Sequence, residues 1–106
     1  MIETIPNEYG DMEIEVQEAV GFICLGGPSK AQLTVAYTPD KLLLELISFH
    51  NWCISAFTKT EPQPLESIVC TVFKTLNELL TPVYLEVIGK SIVAGVHGPM
   101  KVSKSS

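Results

Sequence analysis

Nucleophiles and proton carriers are scarce in this 106-residue chain, which holds three cysteines, Cys24, Cys53 and Cys70, and two histidines, His50 and His97. The cysteines are odd in number and widely spaced with no CxxC pair, which argues against both a disulfide framework and a zinc site. A cysteine attacks only as its thiolate, so it needs a lowered pKa or a neighbouring base. Cys24 lies in Cys24-Leu-Gly-Gly-Pro-Ser-Lys30, and no Asp or Glu between Glu18 and Asp40 supplies a local base. It reads either as a nucleophile or as a small buried residue. Cys53 and Cys70 fall among apolar neighbours on helices and read as buried. His50 reads as a helix-surface or interface residue, and His97, between Val96 and Gly98, as a turn residue.

Two carboxylates stand where chain direction changes. Glu66 follows Pro64 in the first turn of a helix, where the macrodipole favours a negative charge whatever the function. Glu45 sits at a strand-to-helix junction and serves either as a cap or as a ligand contact. Trp52 either stacks on a base or packs in a helix interface. Gly26-Gly27 is no phosphate loop, because the following helix and the Lys-Ser/Thr pair that such a loop needs are missing.

The elements that must hold these groups follow from hydrophobic period. Met12-Glu-Ile-Glu-Val-Gln17 alternates strictly, predicting a half-buried strand with Met12, Ile14 and Val16 on one face. Gly26-Gly27-Pro28-Ser29 breaks the chain, and Gln32–Tyr37 alternates again, so an antiparallel pair with a long connection is expected. After Thr38-Pro39-Asp40, Leu46, Phe49, Cys53 and Phe57 recur at helical spacing and predict a helix over Glu45 to Phe57. A second helix begins with Pro64 at its first position, carries Leu65, Ile68, Val72, Leu76 and Leu79 on one stripe, and stops before Pro82. Val83–Lys90 alternates once more, Gly89 marks a bend before Ser91–Val96, and a last strand follows, with Ser103–Ser106 as a frayed tail.

The order strand, strand, helix, helix, strand, strand predicts an α+β layer: a four-stranded antiparallel sheet with both helices on one face, in a single domain spanning residues 1–106 with residues 1–10 as an N-terminal arm. With 46% hydrophobic residues the chain can bury one small core. Exposed sheet edges and small size predict association into oligomers. The net charge of −5 lacks the basic field that drives nucleic-acid affinity, so a lone chain is expected to bind nucleic acid poorly. No apolar run approaches the roughly 20 residues of a membrane span, and Met1–Gly10 is acidic, unlike a signal peptide. A cytoplasmic location is expected.

Three stretches carry a resemblance. Ile2-Glu-Thr-Ile-Pro-Asn7 resembles the E-[ST]-F-P-N opening of the nitrile reductase family called QueF. Val35-Ala-Tyr-Thr-Pro-Asp-Lys41 with Glu45 resembles its Y-x-P-D-K…E stretch, and Thr81-Pro-Val-Tyr-Leu-Glu-Val-Ile-Gly-Lys90 resembles its D-P-R-Y-[IL]-E-V-x-G-K/R segment. They occur in the family's order and span most of the chain. The resemblance implies the tunnelling fold (T-fold), whose ββααββ subunits assemble in rings and bind purine- or pterin-like ligands at subunit interfaces. It implies a place in queuosine or archaeosine tRNA modification, and 7-cyano-7-deazaguanine, free or carried in tRNA, as the ligand.

Position by position, the likeness divides by task. Cys24 matches the family's thioimide-forming nucleophile in region, though the adjacent proline is missing and Ser29 stands where the family has its catalytic aspartate. The family's Glu-x-Lys-Ser-x-Lys motif, which neutralises NADPH phosphate, corresponds to Glu45-Leu-Ile-Ser-Phe-His50, keeping Glu45 and Ser48 but placing Ile47 and His50 at the lysines. Ile47 carries no charge and an ordinary histidine is mostly neutral at pH 7, so NADPH reduction is disfavoured and no cofactor is expected. Loss of that motif also marks the archaeal amidinotransferase branch, which adds ammonia to the nitrile in tRNA. The family's F-H-E motif corresponds to Pro64-Leu-Glu66, with Leu65 replacing the histidine and the ligand-gripping glutamate retained. Glu45, Glu66 and Ser48 are therefore the expected substrate contacts and Cys24 the expected catalytic residue. The alternative is a non-catalytic T-fold module that keeps recognition and has lost chemistry. A pterin-pathway enzyme of the same fold is disfavoured, since two scattered histidines assemble no His/Cys metal cluster.

Overall fold

The computed structural model describes the chain apart from residues 26, 59–60, 92–99 and 106. In chain order the elements are β1 (Thr4–Pro6), β2 (Ile14–Cys24), β3 (Gly27–Thr38), β4 (Leu42–Leu44), α1 (Leu46–Phe57), α2 (Leu65–Leu80), β5 (Tyr84–Ser91) and β6 (Met100–Ser105). Four strands form one antiparallel sheet in the order β2-β3-β5-β6, and β1 pairs with β4 in a separate two-stranded ribbon. Both helices lie on one face of the sheet, α1 against β2 and α2 against β5 and β6.

Strand alternation explains why one face is apolar. Register brings Val16, Val35, Val87 and Val102 into a single row across all four strands. Val35 and Val87 in the middle are fully buried, while Val16 and Val102 on the edge strands are only partly so. The next row runs Glu18, Leu33, Gly89, Met100. A methyl built on Gly89 would lie 2.3 Å from Val69 Cγ2, so this glycine is the seat on which α2 rests. It lies inside β5, and the bend expected there is absent because the missing side chain serves packing rather than a turn. The expected Ser91–Val96 segment falls largely outside the described residues.

Several boundaries differ from the sequence reading. β2 and β3 run well past Gln17 and Gln32 because Ala19 and Gly21 occupy outward positions, hiding the alternation that Val20 and Phe22 continue inward. Their connection is short: Cys24 is already opposite Gly27. Ser103, Lys104 and Ser105 extend β6 rather than fraying, opposite Glu86, Leu85 and Tyr84. Pro64 caps α2 from an extended conformation (ψ 157°) instead of opening its first turn. α2 ends as expected before Pro82, with Thr81 left-handed at φ 43°.

Candidate functional site

α1 begins at Glu45, and the reason is local hydrogen bonding. Its Oε1 accepts the Ile47 backbone N–H at 3.2 Å and its Oε2 the Ser48 N–H at 2.6 Å, satisfying donors that have no partner within the helix. Ser48 Oγ donates to the Glu45 carbonyl at 3.0 Å and accepts the Glu3 N–H at 2.8 Å. The Glu45 N–H in turn donates to the Glu3 carbonyl at 3.0 Å. The N-terminal arm is thereby tied to the helix start. The Ser48 N–H above all, then the Ser48 hydroxyl, hold the Glu45 carboxyl below its ordinary value, and its slight desolvation opposes them. Glu3, Glu45 and Ser48 line an open cleft of about 600 Å³ together with Ile47, Asn51 and Trp52. Trp52 packs among aromatics, stacked on Phe49 at 6.2 Å and edge-on to Phe57 at 5.6 Å.

Cys24 closes β2 at the other end of this layer. Its Sγ donates to the Gly27 carbonyl at 3.2 Å and lies 3.2 Å from Ser29 Oγ. Ser29 thus meets the thiol where the resemblance places an aspartate, but a hydroxyl is no base at neutral pH. The Gln63 N–H donates to the Ile23 carbonyl at 2.7 Å, and Gln63 Nε2 reaches the Phe57 carbonyl at 3.4 Å. The residue before Cys24 is therefore pinned to the segment entering α2, three residues before Glu66, which is exposed in that helix's first turn.

The four expected site residues consequently form two groups. Cys24 and Glu66 belong to the end of the molecule where α1 finishes, and Glu45 and Ser48 to the end where it starts. α1 has 12 residues, so its two ends lie about 18 Å apart at 1.5 Å per residue. Within one subunit the two groups cannot grip one base together.

Of the remaining candidates, Cys53 is buried as expected, and burial first, then the charge of Glu18, push its thiol up to about 12. Cys70 is exposed, contrary to expectation, because Ile68, Val69 and Val72 turn inward and leave it on the outer side of α2. Leu46, placed in the apolar stripe of α1 by spacing, is 51% exposed. His50 is an exposed helix residue whose Nδ1 meets Glu18 Oε2 at 2.6 Å. His97 lies outside the described residues. Glu18 was missed: it is a carboxylate on the helix-facing row of β2, detectable by continuing the alternation of Ile14 and Val16 by one more step. Gln63 was missed as well, and no local pattern announces its backbone contact. Among the described residues no group of three or more His, Cys, Asp or Glu side chains is placed to hold a metal ion, and no helix is long and apolar enough to cross a membrane.

Strand order, antiparallel pairing and two helices on one face define a T-fold subunit. The backbone is similar to the crystal structure of the archaeosine synthase QueF-Like in its apo form, with a TM-score of 0.77 over 89% of this chain and 94% of that one, at 16% identity. Residues 28–100, more than half of the chain, match the model of the family described as QueF-like protein, and the chain belongs to that family. The matched segment holds Ser29, Glu45, Ser48 and Glu66, whereas Cys24 precedes it. No curated protein matches the chain in sequence.

Proposed function

We propose that this chain binds a 7-deazapurine of the 7-cyano-7-deazaguanine type, free or carried in tRNA, at the end of the subunit shared by Glu66 and Cys24, and does so without NADPH. The observation that carries this reading is the 2.7 Å hydrogen bond from the Gln63 N–H to the Ile23 carbonyl, which holds the thiol-bearing hairpin beside the start of α2. Glu66 is the recognition group. An exposed carboxylate at a helix start can accept two parallel N–H bonds from a 2-amino-pyrimidinone edge, a charge-assisted contact that needs no catalytic partner. Glu45 and Ser48 have their nearest acceptor and donor positions committed to the helix cap and the arm, and act as scaffold.

A covalent reading rests on Cys24. Addition of its Sγ to the nitrile carbon forms a C–S bond and leaves the thiol proton on nitrogen, giving a thioimide with nothing expelled; ammonia can then attack that carbon, the C–S bond breaking as a proton from the incoming nitrogen passes to Sγ, which releases the amidine and regenerates the Cys24 thiol. The Ser29 hydroxyl beside Sγ can orient the thiol but not deprotonate it, which favours binding over turnover.

Ring assembly fits the edges of the sheet. β2 presents the exposed Glu15 with no basic residue, β6 presents the exposed Lys104 with no acidic one, and among the described residues each of these strands is paired on one side only. Opposite charge on opposite edges suits head-to-tail contact between subunits, which closes into a ring. In such a ring the site is interfacial, and the whole chain, residues 1–106, acts as one domain.

The test is calorimetry and intact-mass measurement with 7-cyano-7-deazaguanine. Binding that survives Cys24→Ala and disappears in Glu66→Ala supports recognition without catalysis. A mass increase equal to the ligand, absent in Cys24→Ala, supports the thioimide. Failure of the wild-type chain to bind at all refutes both.

A further inference from the structure

We propose that the helix-free face of the sheet, at the end where Cys24 lies, binds a short oligophosphate, the di- or triphosphate group of a small molecule, through Lys30 and Lys90. Neither lysine enters the deazapurine reading. Register fixes their placement. Counted from the start of β2, the first row on that face carries Glu15 and Glu86, the third carries Lys90 beside Gln32, and the fourth carries Lys30 beside Gly21. Charge is thereby sorted along the strands, with carboxylates at one end and lysines at the other.

Both lysines are available to a ligand. Lys101, the third lysine on this face, is paired with Glu86, whereas among the described residues Lys30 and Lys90 are exposed and enter no ion pair. They are diagonal neighbours on the adjacent strands β3 and β5, with backbones about 7–8 Å apart, so two ammonium groups on flexible four-carbon stems can converge on one anion. Gln32 is held beside Lys90 by a chain of amides: its Nε2 donates to Gln17 Oε1 at 3.1 Å, and Gln17 Nε2 donates to Glu15 Oε1 at 3.4 Å. The second N–H of the Gln32 amide remains to donate to a phosphate oxygen. There is also room for the ligand, because a methyl built on Gly21, opposite Lys30, would meet nothing within 4 Å.

Charge complementarity selects a compact anion. The row of Lys90 is about 14 Å from that of Glu15 at 3.4 Å per residue. At physiological salt a charge is screened within about 8 Å, so the acidic row does not repel an anion seated on Lys30 and Lys90. A polynucleotide running along the strands would lay its phosphates on Glu15 and Glu86. In any direction, two unpaired lysines in a chain of net charge −5 neutralise too few phosphates to hold such a polymer. A di- or triphosphate concentrates several negative charges within the reach of the two ammonium groups and ends before the carboxylates begin.

The test is titration of the full chain with inorganic triphosphate, followed by amide NMR and calorimetry. The amides of Gly21, Lys30, Gln32 and Lys90 should shift while those of Glu15 and Glu86 stay in place, and a nucleoside triphosphate should shift the same four. Affinity should fall about tenfold or more in Lys30→Gln with Lys90→Gln. Lys104→Gln, on the helix side of β6, should leave it unchanged. Absence of binding, shifts confined to other residues, or equal loss in Lys104→Gln overturns the proposal. So does an RNA oligonucleotide that binds through Lys30 and Lys90 more tightly than triphosphate. If the double variant does not fold, the shifts in the wild-type chain decide. Triphosphate binding should persist in Glu66→Ala, and its loss there would refute a separate site; the deazapurine reading is tested by its own ligand and stands or falls independently.

Discussion

Replacing Gly89 with alanine tests how α2 is seated on the sheet. The added methyl would lie 2.3 Å from Val69 Cγ2, 3.3 Å from Leu65 Cδ1 and 3.6 Å from Leu33 Cδ2. Val69 is β-branched with few rotamers and completely buried, so the clash is relieved only by moving α2. Overpacking of this kind costs about 1–3 kcal/mol. Removing a glycine from a strand returns about 0.5–1 kcal/mol, so the expected net loss is roughly 1 kcal/mol. At about 4–8 °C per kcal/mol for a domain of this size, the melting temperature should fall by about 7 °C. Val69→Ala should cost about 2 kcal/mol by itself, through lost burial and a cavity. Combined with Gly89→Ala, it removes the obstructing methyl, so the double variant should lose about 2 kcal/mol less than the sum of the single changes. Urea unfolding of all four proteins measures this. Strict additivity, or a Gly89→Ala protein as stable as wild type, would refute the account. Leu65 and Val69 flank Glu66 on α2, so Gly89→Ala should also weaken the proposed deazapurine binding without touching the ligand.

Three further outcomes follow from other parts of the fold. Tyr37→Phe removes the hydroxyl that accepts the Leu44 N–H at 3.0 Å; a buried donor without a partner should cost about 1–3 kcal/mol in chemical unfolding. Cys53 is protonated in the fold up to about pH 12 against an ordinary 9.0, so its contribution is complete below pH 9 and lost between 9 and 12. Stability measured across that window should fall less steeply in Cys53→Ala, and a thiol reagent at pH 8 should label Cys70 promptly and Cys53 only on unfolding. Glu45 has its folded carboxyl held below the ordinary 4.5, so the cap is stabilising above that pH and is lost as pH falls. Glu45→Gln should lower the melting temperature at pH 7 and flatten its decline on acidification; an unchanged acid limb would count against the capping account.

Long-period features of this fold are readable in the sequence because each strand and helix repeats its signal. Leu65, Ile68, Val72 and Leu76 declare the buried side of α2 four times over, and all four are buried. Single-contact features are not readable in this way. The β1–β4 ribbon rests on three residues opposite three, Thr4–Pro6 against Leu42–Leu44, and nothing in either tripeptide indicates its partner. The site divides along the same line. Glu45 was recognisable at a strand-to-helix junction, but its commitment to Ile47 and Ser48 depends on side-chain direction. The association of Cys24 with Glu66 runs through one backbone bond at Gln63, which any residue other than proline could supply. Cys70 went wrong because apolar neighbours in sequence are not neighbours on a helix, where residues three and four apart share a side.

The tie between Glu3 and the start of α1 sets an order of events. Its two bonds span more than forty residues of chain, and they need a formed first turn of α1 before Ser48 Oγ and the Glu45 N–H are in place to receive Glu3. The arm therefore docks after the helix and leaves before it. Amide exchange should report this directly: the Glu3 and Glu45 hydrogens should exchange together through a local opening of low free energy, while those of Val35 and Val87 wait for global unfolding.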